Sequence, residues 1–158
     1  MNSQITPADT IAMQKAYENL KGQVLPNDLS HGFAALITLI SKLRDPKTGC
    51  QWDKKQTHSS FASCITEEAK EVLDAIQTNN TENLCEELGD LLFTTIFMIQ
   101  LSESTKQFQL SDVLDRVLKK LVFRHPHVFG AIDRSNITAE EAFQLFQEAK
   151  KREKLKNT

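Results

Sequence analysis

In CEELGDLL, residues 85–92, Glu86, Glu87 and Asp90 fall within five positions, with Gly89 among them and apolar residues directly after. A second set precedes them in TEEAKEVLDAI, residues 66–76, where Glu67, Glu68, Glu71 and Asp74 recur at short spacings. A helix turns about 100° per residue, so positions three and four apart share a face. Glu67, Glu68, Glu71 and Asp74 then lie opposite Phe61, Ile65, Ala69, Val72, Leu73 and Ile76. Glu86, Glu87 and Asp90 form one arc, and Leu84, Leu88, Leu91, Leu92 and Thr95 another.

An acidic helix face is ordinarily solvated surface. Two features weigh against that here. Almost no Lys or Arg stands at i+4 to relieve these acids, and like charges at that spacing are destabilising. Gly89 costs about 1 kcal/mol relative to Ala in a helix interior, which predicts close approach of another helix or a ligand. Both penalties point to a bound cation. Oxygen-only ligands select hard ions, Mg²⁺ first and Mn²⁺ next. No His follows any of these glutamates by three residues, so the Glu-x-x-His pair of di-iron bundles is missing and a carboxylate-bridged iron protein is disfavoured. Mg²⁺ completes its shell with water and substrate phosphates, which suggests a phosphorylated substrate.

These acids need helices to carry them, and the rest of the chain reads as helical. Thr6, Pro7 and Gly22 have the types that cap, open and close a short helix, so residues 1–28 are expected to form an arm with one helix and thin apolar content. The main domain is expected at 29–158. An apolar helix runs from about Leu29 to Leu43 and stops at RDP. The aperiodic loop RDPKTGCQWDKKQTH follows, long enough to suggest function. Ser59 or Ser60 opens a helix to about Gln77, TNNT breaks it, and Thr81 caps the next, which covers about 82–104. Ser111 begins DVLDRVLKKLVFR, which must end by His125 because Pro126 follows. Thr138 and Glu141 have capping-box spacing ahead of a last helix. No strand periodicity, repeat or low-complexity segment is present, so the fold class is an all-α helical bundle.

Composition sets the surroundings. A chain of 158 residues with 40% hydrophobic side chains is one domain's worth. A formal charge of −2 argues against a general nucleic-acid binder. Cys50, Cys64 and Cys85 are odd in number and form no CxxC, which suggests neither a disulfide framework nor a thiolate zinc site and fits a cytoplasmic setting. Cys64 and Cys85 read as small buried residues. MNSQITPADT lacks a signal-peptide pattern and no run approaches a membrane span, so no membrane partner is expected.

Glu68-x-x-Glu71 followed by Glu87-x-x-Asp90 resembles the ExxE…ExxD signature of the MazG-type, all-α nucleoside triphosphate pyrophosphohydrolases. The blocks LRDPKTGCQWDKKQT at 43–57, EEAKEVLDAI at 67–76, EELGDLLF at 86–93 and RHPHVF at 124–129 resemble family blocks in family order, and the likeness extends over roughly residues 33–153. It implies Mg²⁺-dependent hydrolysis of a nucleoside triphosphate to monophosphate and pyrophosphate, with one copy of the domain and assembly as a homodimer or larger homo-oligomer. Carried onto this chain, Glu68, Glu71, Glu87 and Asp90 hold the metal. Glu67 and Glu86 are supporting ligands or the base that orients water.

Arg116, Lys120 and Arg124 stand at i, i+4 and i+8 beside an apolar stripe of Leu114, Val117, Leu118 and Leu121. A basic stripe alone is usually solvated. The resemblance assigns Lys120 and Arg124 to phosphate, adds Lys150, and puts Phe146 where relatives stack an aromatic on the base. On spacing alone Phe146, with Phe143, reads as core. Trp52 lies in the loop block, as a nucleotide contact or a loop anchor. His125 and His127 read as positioning a chain end rather than binding metal. Two departures stand out: Gln51 replaces a common proline, and Cys64 stands where relatives can carry lysine. Narrower activities on dCTP, dUTP or phosphoribosyl-ATP share the acidic bundle, and the rival from another class is a non-catalytic helical interaction module. The four intact signature acids argue against the last.

Overall fold

The computed structural model describes residues 5–23, 26–131 and 136–156. Among them are seven α-helices and no strand: α1 (Pro7–Lys21), α2 (Asn27–Leu43), α3 (His58–Gln77), α4 (Thr81–Ser104), α5 (Leu110–Arg124), α6 (Pro126–Phe129) and α7 (Ala139–Lys156). The all-α expectation holds, and no helix among the described residues is long and apolar enough to cross a membrane.

Helix ends follow local chemistry, with small corrections. Thr57, not Ser59 or Ser60, caps α3: its hydroxyl accepts from the Ser60 backbone N–H while Ser60 returns a bond to the Thr57 N–H. Asn80 caps α4 in place of Thr81, accepting from the Asn83 N–H at 3.1 Å. Asparagine ranks at least as high as threonine in that role. Asn79 before it takes the left-handed conformation (φ 51°) that lets the chain reverse in a few residues. Pro126 ends α5 as expected but also opens α6, because a missing N–H costs nothing at a helix's first position. Thr138 and Glu141 make the expected capping box.

The chain divides into two compact units. In Leu25–Asp112, α4 packs on both α2 and α3. The core is Ile40, Phe61, Ile96, Phe97 and Leu101, with Phe33, Leu36, Cys64 and Phe93 against it. Phe61 and Phe97 stack with centroids 4.0 Å apart. The loop between α2 and α3 is ordered by its own polar groups. Asp45 Oδ1 accepts from the Lys47 and Thr48 N–H groups and the Thr48 hydroxyl, which holds its carboxyl below the usual range. At Gly49 a side chain would collide with the Leu43 carbonyl and the Asp45 backbone, so only glycine closes this turn. Arg44 lies over the Phe97 ring, 5.1 Å from its centroid, and donates to the Asp53 carbonyl at 2.8 Å.

The other unit comprises α1, α5 from Val113, α6 and α7. Helix α1, thin in apolar residues, still buries Met13 and Tyr17 against Val122. The Tyr17 hydroxyl and the Lys21 ammonium both donate to Asp115 on α5. Val122, outside the stripe read from sequence, is the buried residue of α5, whereas Leu114, Val117 and Leu121 are exposed. Asp9 is fully buried and Gly130 lies against it; a side chain at Gly130 would strike the Asp9 carboxylate and the Pro126 carbonyl.

Three further expectations need correction. Leu73, Ile76, Leu88 and Leu92, read as core-facing, are exposed, because packing between α3 and α4 covers only part of each apolar face. Cys85 is exposed, whereas Cys64 is half-buried. Among the described residues no other helix approaches Gly89, with nothing within 4 Å of the position its side chain would occupy, which leaves only the ligand half of that expectation.

The two glycines therefore predict opposite effects. Gly89→Ala removes a helix penalty without a clash and raises the melting temperature by about 2–4 °C. Gly130→Ala lowers it. Paired thermal melts of the two variants provide the check.

Candidate metal centre

The cap at Asn80 and the short turn before it fold α4 back onto α3, which sets the second half of α3 beside the start of α4. Glu68 and Glu71 come from the first helix and Glu87 from the second. Each offers a carboxylate oxygen, and these three oxygens lie within 4.8 Å of one another. Glu87 is buried, Glu68 half-buried and Glu71 exposed. Asp90 is exposed and stands outside this group of three, yet its charge acts on both Glu68 and Glu87.

The electrostatics are those of a site short of positive charge. Burial, then the charges of Asp90, Glu71 and Glu67, push the Glu68 carboxyl above the usual glutamate value. For Glu87 the causes are burial, the charge of Glu71 and a hydrogen bond with it, then Glu86 and Asp90. The six acids that the resemblance assigns to the site thus act on one locus, whereas Asp74, on the same helix face, does not. No ion pair from Lys or Arg to any of them occurs among the described residues. A compact set of carboxylate oxygens, with the Glu68 and Glu87 carboxyls raised, fits a hard divalent cation, whose charge would reverse both shifts.

Trp52 lies at the loop block in the same unit. The residue is 56% exposed and its ring tilts against Phe61 at 6.0 Å, so it anchors the loop while remaining largely open to solvent. The basic residues belong to the other unit. Lys120 is exposed and Lys150 half-buried. Arg124 donates through Nε to Glu153 Oε2 at 2.8 Å, with Nη2 2.7 Å from the same oxygen. Its guanidinium also lies 5.8 Å from the Phe146 ring centroid. Phe146 is half-buried and packs against His125 at 5.4 Å, so it is neither plain core nor a free platform. Sequence reasoning missed Glu153 as a partner of Arg124. The two are 29 residues apart on different helices, and no local spacing links them.

Comparison with known proteins gives a consistent picture. The sequence model described as the MazG nucleotide pyrophosphohydrolase domain matches residues 56–129. The chain is 40% identical over 119 residues to the nucleoside triphosphate pyrophosphohydrolase of Escherichia coli strain K12, covering 75% of this chain and 44% of that protein. It is 42% identical over 98 residues to the nucleoside triphosphate pyrophosphohydrolase/pyrophosphatase MazG of Thermotoga maritima, covering 62% and 38%. The chain thus spans less than half the length of these curated relatives. The crystal structure of a mazG-related protein from Thermotoga maritima superposes with a TM-score of 0.63 at 27% identity, covering 75% of this chain and 98% of that one.

The raised carboxyls make a signed prediction. An acid whose folded pKa lies above its unfolded value costs stability as pH rises from the ordinary glutamate value through the raised one. Neutralising it removes that cost. Glu87→Gln, whose amide can donate to Glu71, raises the metal-free melting temperature near neutral pH by about 2–4 °C. The same change abolishes stabilisation by Mg²⁺. In the unsubstituted protein the Mg²⁺ shift shrinks between about pH 8 and about pH 5 as protons compete for the carboxylates. Differential scanning fluorimetry across pH, with and without Mg²⁺, measures all three.

Proposed function

Residues 56–129 of this chain carry a domain of the MazG nucleotide pyrophosphohydrolase family, and on that premise we propose that the protein hydrolyses nucleoside triphosphates, ribo- or deoxyribo-, to nucleoside monophosphate and pyrophosphate, with Mg²⁺ as cofactor and Mn²⁺ as a substitute. The observation that carries this reading is the convergence of Glu68, Glu71 and Glu87 from two packed helices with no cationic partner among the described residues.

In the reaction a water oxygen bonds to the α-phosphorus while the bond from that phosphorus to the α–β bridging oxygen breaks. The electron pair leaves with pyrophosphate. Glu68, Glu71, Glu87 and Asp90 would hold the cation, which would neutralise phosphate charge and make water more acidic. Glu67 and Glu86 are both exposed at the edge of the cluster and suit the task of accepting the water's proton. Lys120, Arg124 and Lys150 engage the phosphates. Arg124 can do so while holding Glu153, since a guanidinium has five N–H donors and only Nε and one Nη face that carboxylate. Phe146 and Trp52 are the aromatic surfaces for a base.

The protein acts as a homodimer or larger homo-oligomer in this reading. Exposed Leu73, Ile76, Leu88 and Leu92 support it, since large apolar side chains on two neighbouring helices favour a protein contact over water. The three free cysteines support a reducing, cytoplasmic setting.

Incubation with each common NTP and dNTP is expected to release pyrophosphate and monophosphate only with Mg²⁺ or Mn²⁺. Glu71→Gln lowers turnover at least about 100-fold. Orthophosphate as the product, or full turnover in that variant, overturns the assignment. Leu88→Glu is expected to shift the assembly toward monomer in light scattering coupled to size-exclusion chromatography.

A further inference from the structure

Trp52, the only tryptophan of the chain, has a side chain largely open to solvent on a backbone that is pinned. Its carbonyl accepts from the Lys55 N–H and from Gln56 Nε2, each at 3.1 Å. Gln56 is tied in turn to the first turn of α3, since its Oε1 accepts from the Ser60 hydroxyl at 2.7 Å. The next residue, Asp53, is buried and opens the short 3₁₀ turn Asp53–Lys55. Its carbonyl accepts from Arg44 Nη1 at 2.8 Å.

Arg44 stands at the end of α2 and reaches across the loop to make that bond. Its guanidinium lies over Phe97, Phe97 stacks on Phe61, and Phe61 bears the Trp52 ring. One side chain therefore joins the aromatic core to the backbone beside Trp52. An aromatic held in place and left open suits stacking, because little conformational freedom remains to be lost on binding. Phe146, by contrast, is half-buried against His125 and Arg124.

Placement gives that open ring a ligand. Phe61 and Glu68 are seven residues apart on α3, on one face and about 10 Å along the axis. The indole on Phe61 and the acids at Glu68 thus belong to one unit and are separated on the scale of a single nucleotide.

We propose that Arg44 is a positioning residue for the nucleobase: it holds Trp52 as the platform on which the base stacks while the phosphates meet the acidic cluster. The inference rests on the function proposed above and adds to it which aromatic takes the base and what holds that aromatic.

The test reads the emission of Trp52 while the full chain with Mg²⁺ is titrated with α,β-methylene nucleoside triphosphates, whose α–β bridge cannot be hydrolysed, and with base-free tripolyphosphate. The nucleotide analogues are expected to quench the emission and tripolyphosphate to leave it unchanged. By calorimetry, Trp52→Ala weakens analogue binding about tenfold, the loss of one base–aromatic stack. Arg44→Met keeps an apolar stem over Phe97 but no donor; it lowers the emission anisotropy of the free protein and weakens the analogue about threefold. Arg44→Lys restores a donor and recovers part of both. The double variant binds no more weakly than Trp52→Ala alone, because Arg44 acts through Trp52. Thermal melts confirm folding, and the Mg²⁺-induced shift persists in each variant. Equal quenching by tripolyphosphate, or unchanged affinity in Trp52→Ala, overturns the platform; unchanged anisotropy and affinity in Arg44→Met overturns the role of Arg44. Nucleotide hydrolysis with no response at Trp52 sinks this inference and leaves the enzymatic reading standing. Quenching by the analogues in a protein that hydrolyses no nucleotide does the reverse.

Discussion

The stack of Phe61 on Phe97 fixes α3 against α4, and the acidic site depends on that pairing. Both rings are buried at the centre of one unit. Aromatic pairs in such a core contribute about 0.5–1.5 kcal/mol beyond the area they bury. The same contact reaches the loop between α2 and α3, since Trp52 leans on Phe61 and Arg44 lies over Phe97. One apolar cluster therefore positions both the carboxylates and the loop block.

That core brings the carboxylates of the two helices together. Glu87 is buried facing Glu71, and Glu68 feels Asp90, Glu71 and Glu67. Burial and these neighbouring charges raise the carboxyl pKa of the two most enclosed acids, Glu68 and Glu87. This is a cost that packing elsewhere must offset.

The second unit has the opposite electrostatic character. Tyr17 and Lys21 grip Asp115 and hold its carboxyl below the usual range, which fastens α1 to α5. The buried capping residue Asp9 locks the start of α1 close to Gly130. A helix with few apolar residues is thereby docked through polar contacts. It supplies one side of a cavity whose remaining lining is largely cationic.

The sequence by itself determined the helices, the acidic faces and the loop block, because these follow from interactions between residues a few positions apart. Capping residues, proline and the 3.6-residue period act locally, so errors at Thr57 and Asn80 amount to a residue or two. The tertiary structure alone decided which acids converge, for distance between Glu71 and Glu87 depends on how α3 packs on α4. It also decided which apolar residues are covered. Leu73 and Leu88 carry the same periodic signal as Phe61, but a helix period cannot say how much of an apolar face a neighbour will reach. The pairing of Arg124 with Glu153 and the docking of α1 belong to the same class. They join residues far apart in the chain, and such contacts are chosen by packing rather than by local spacing.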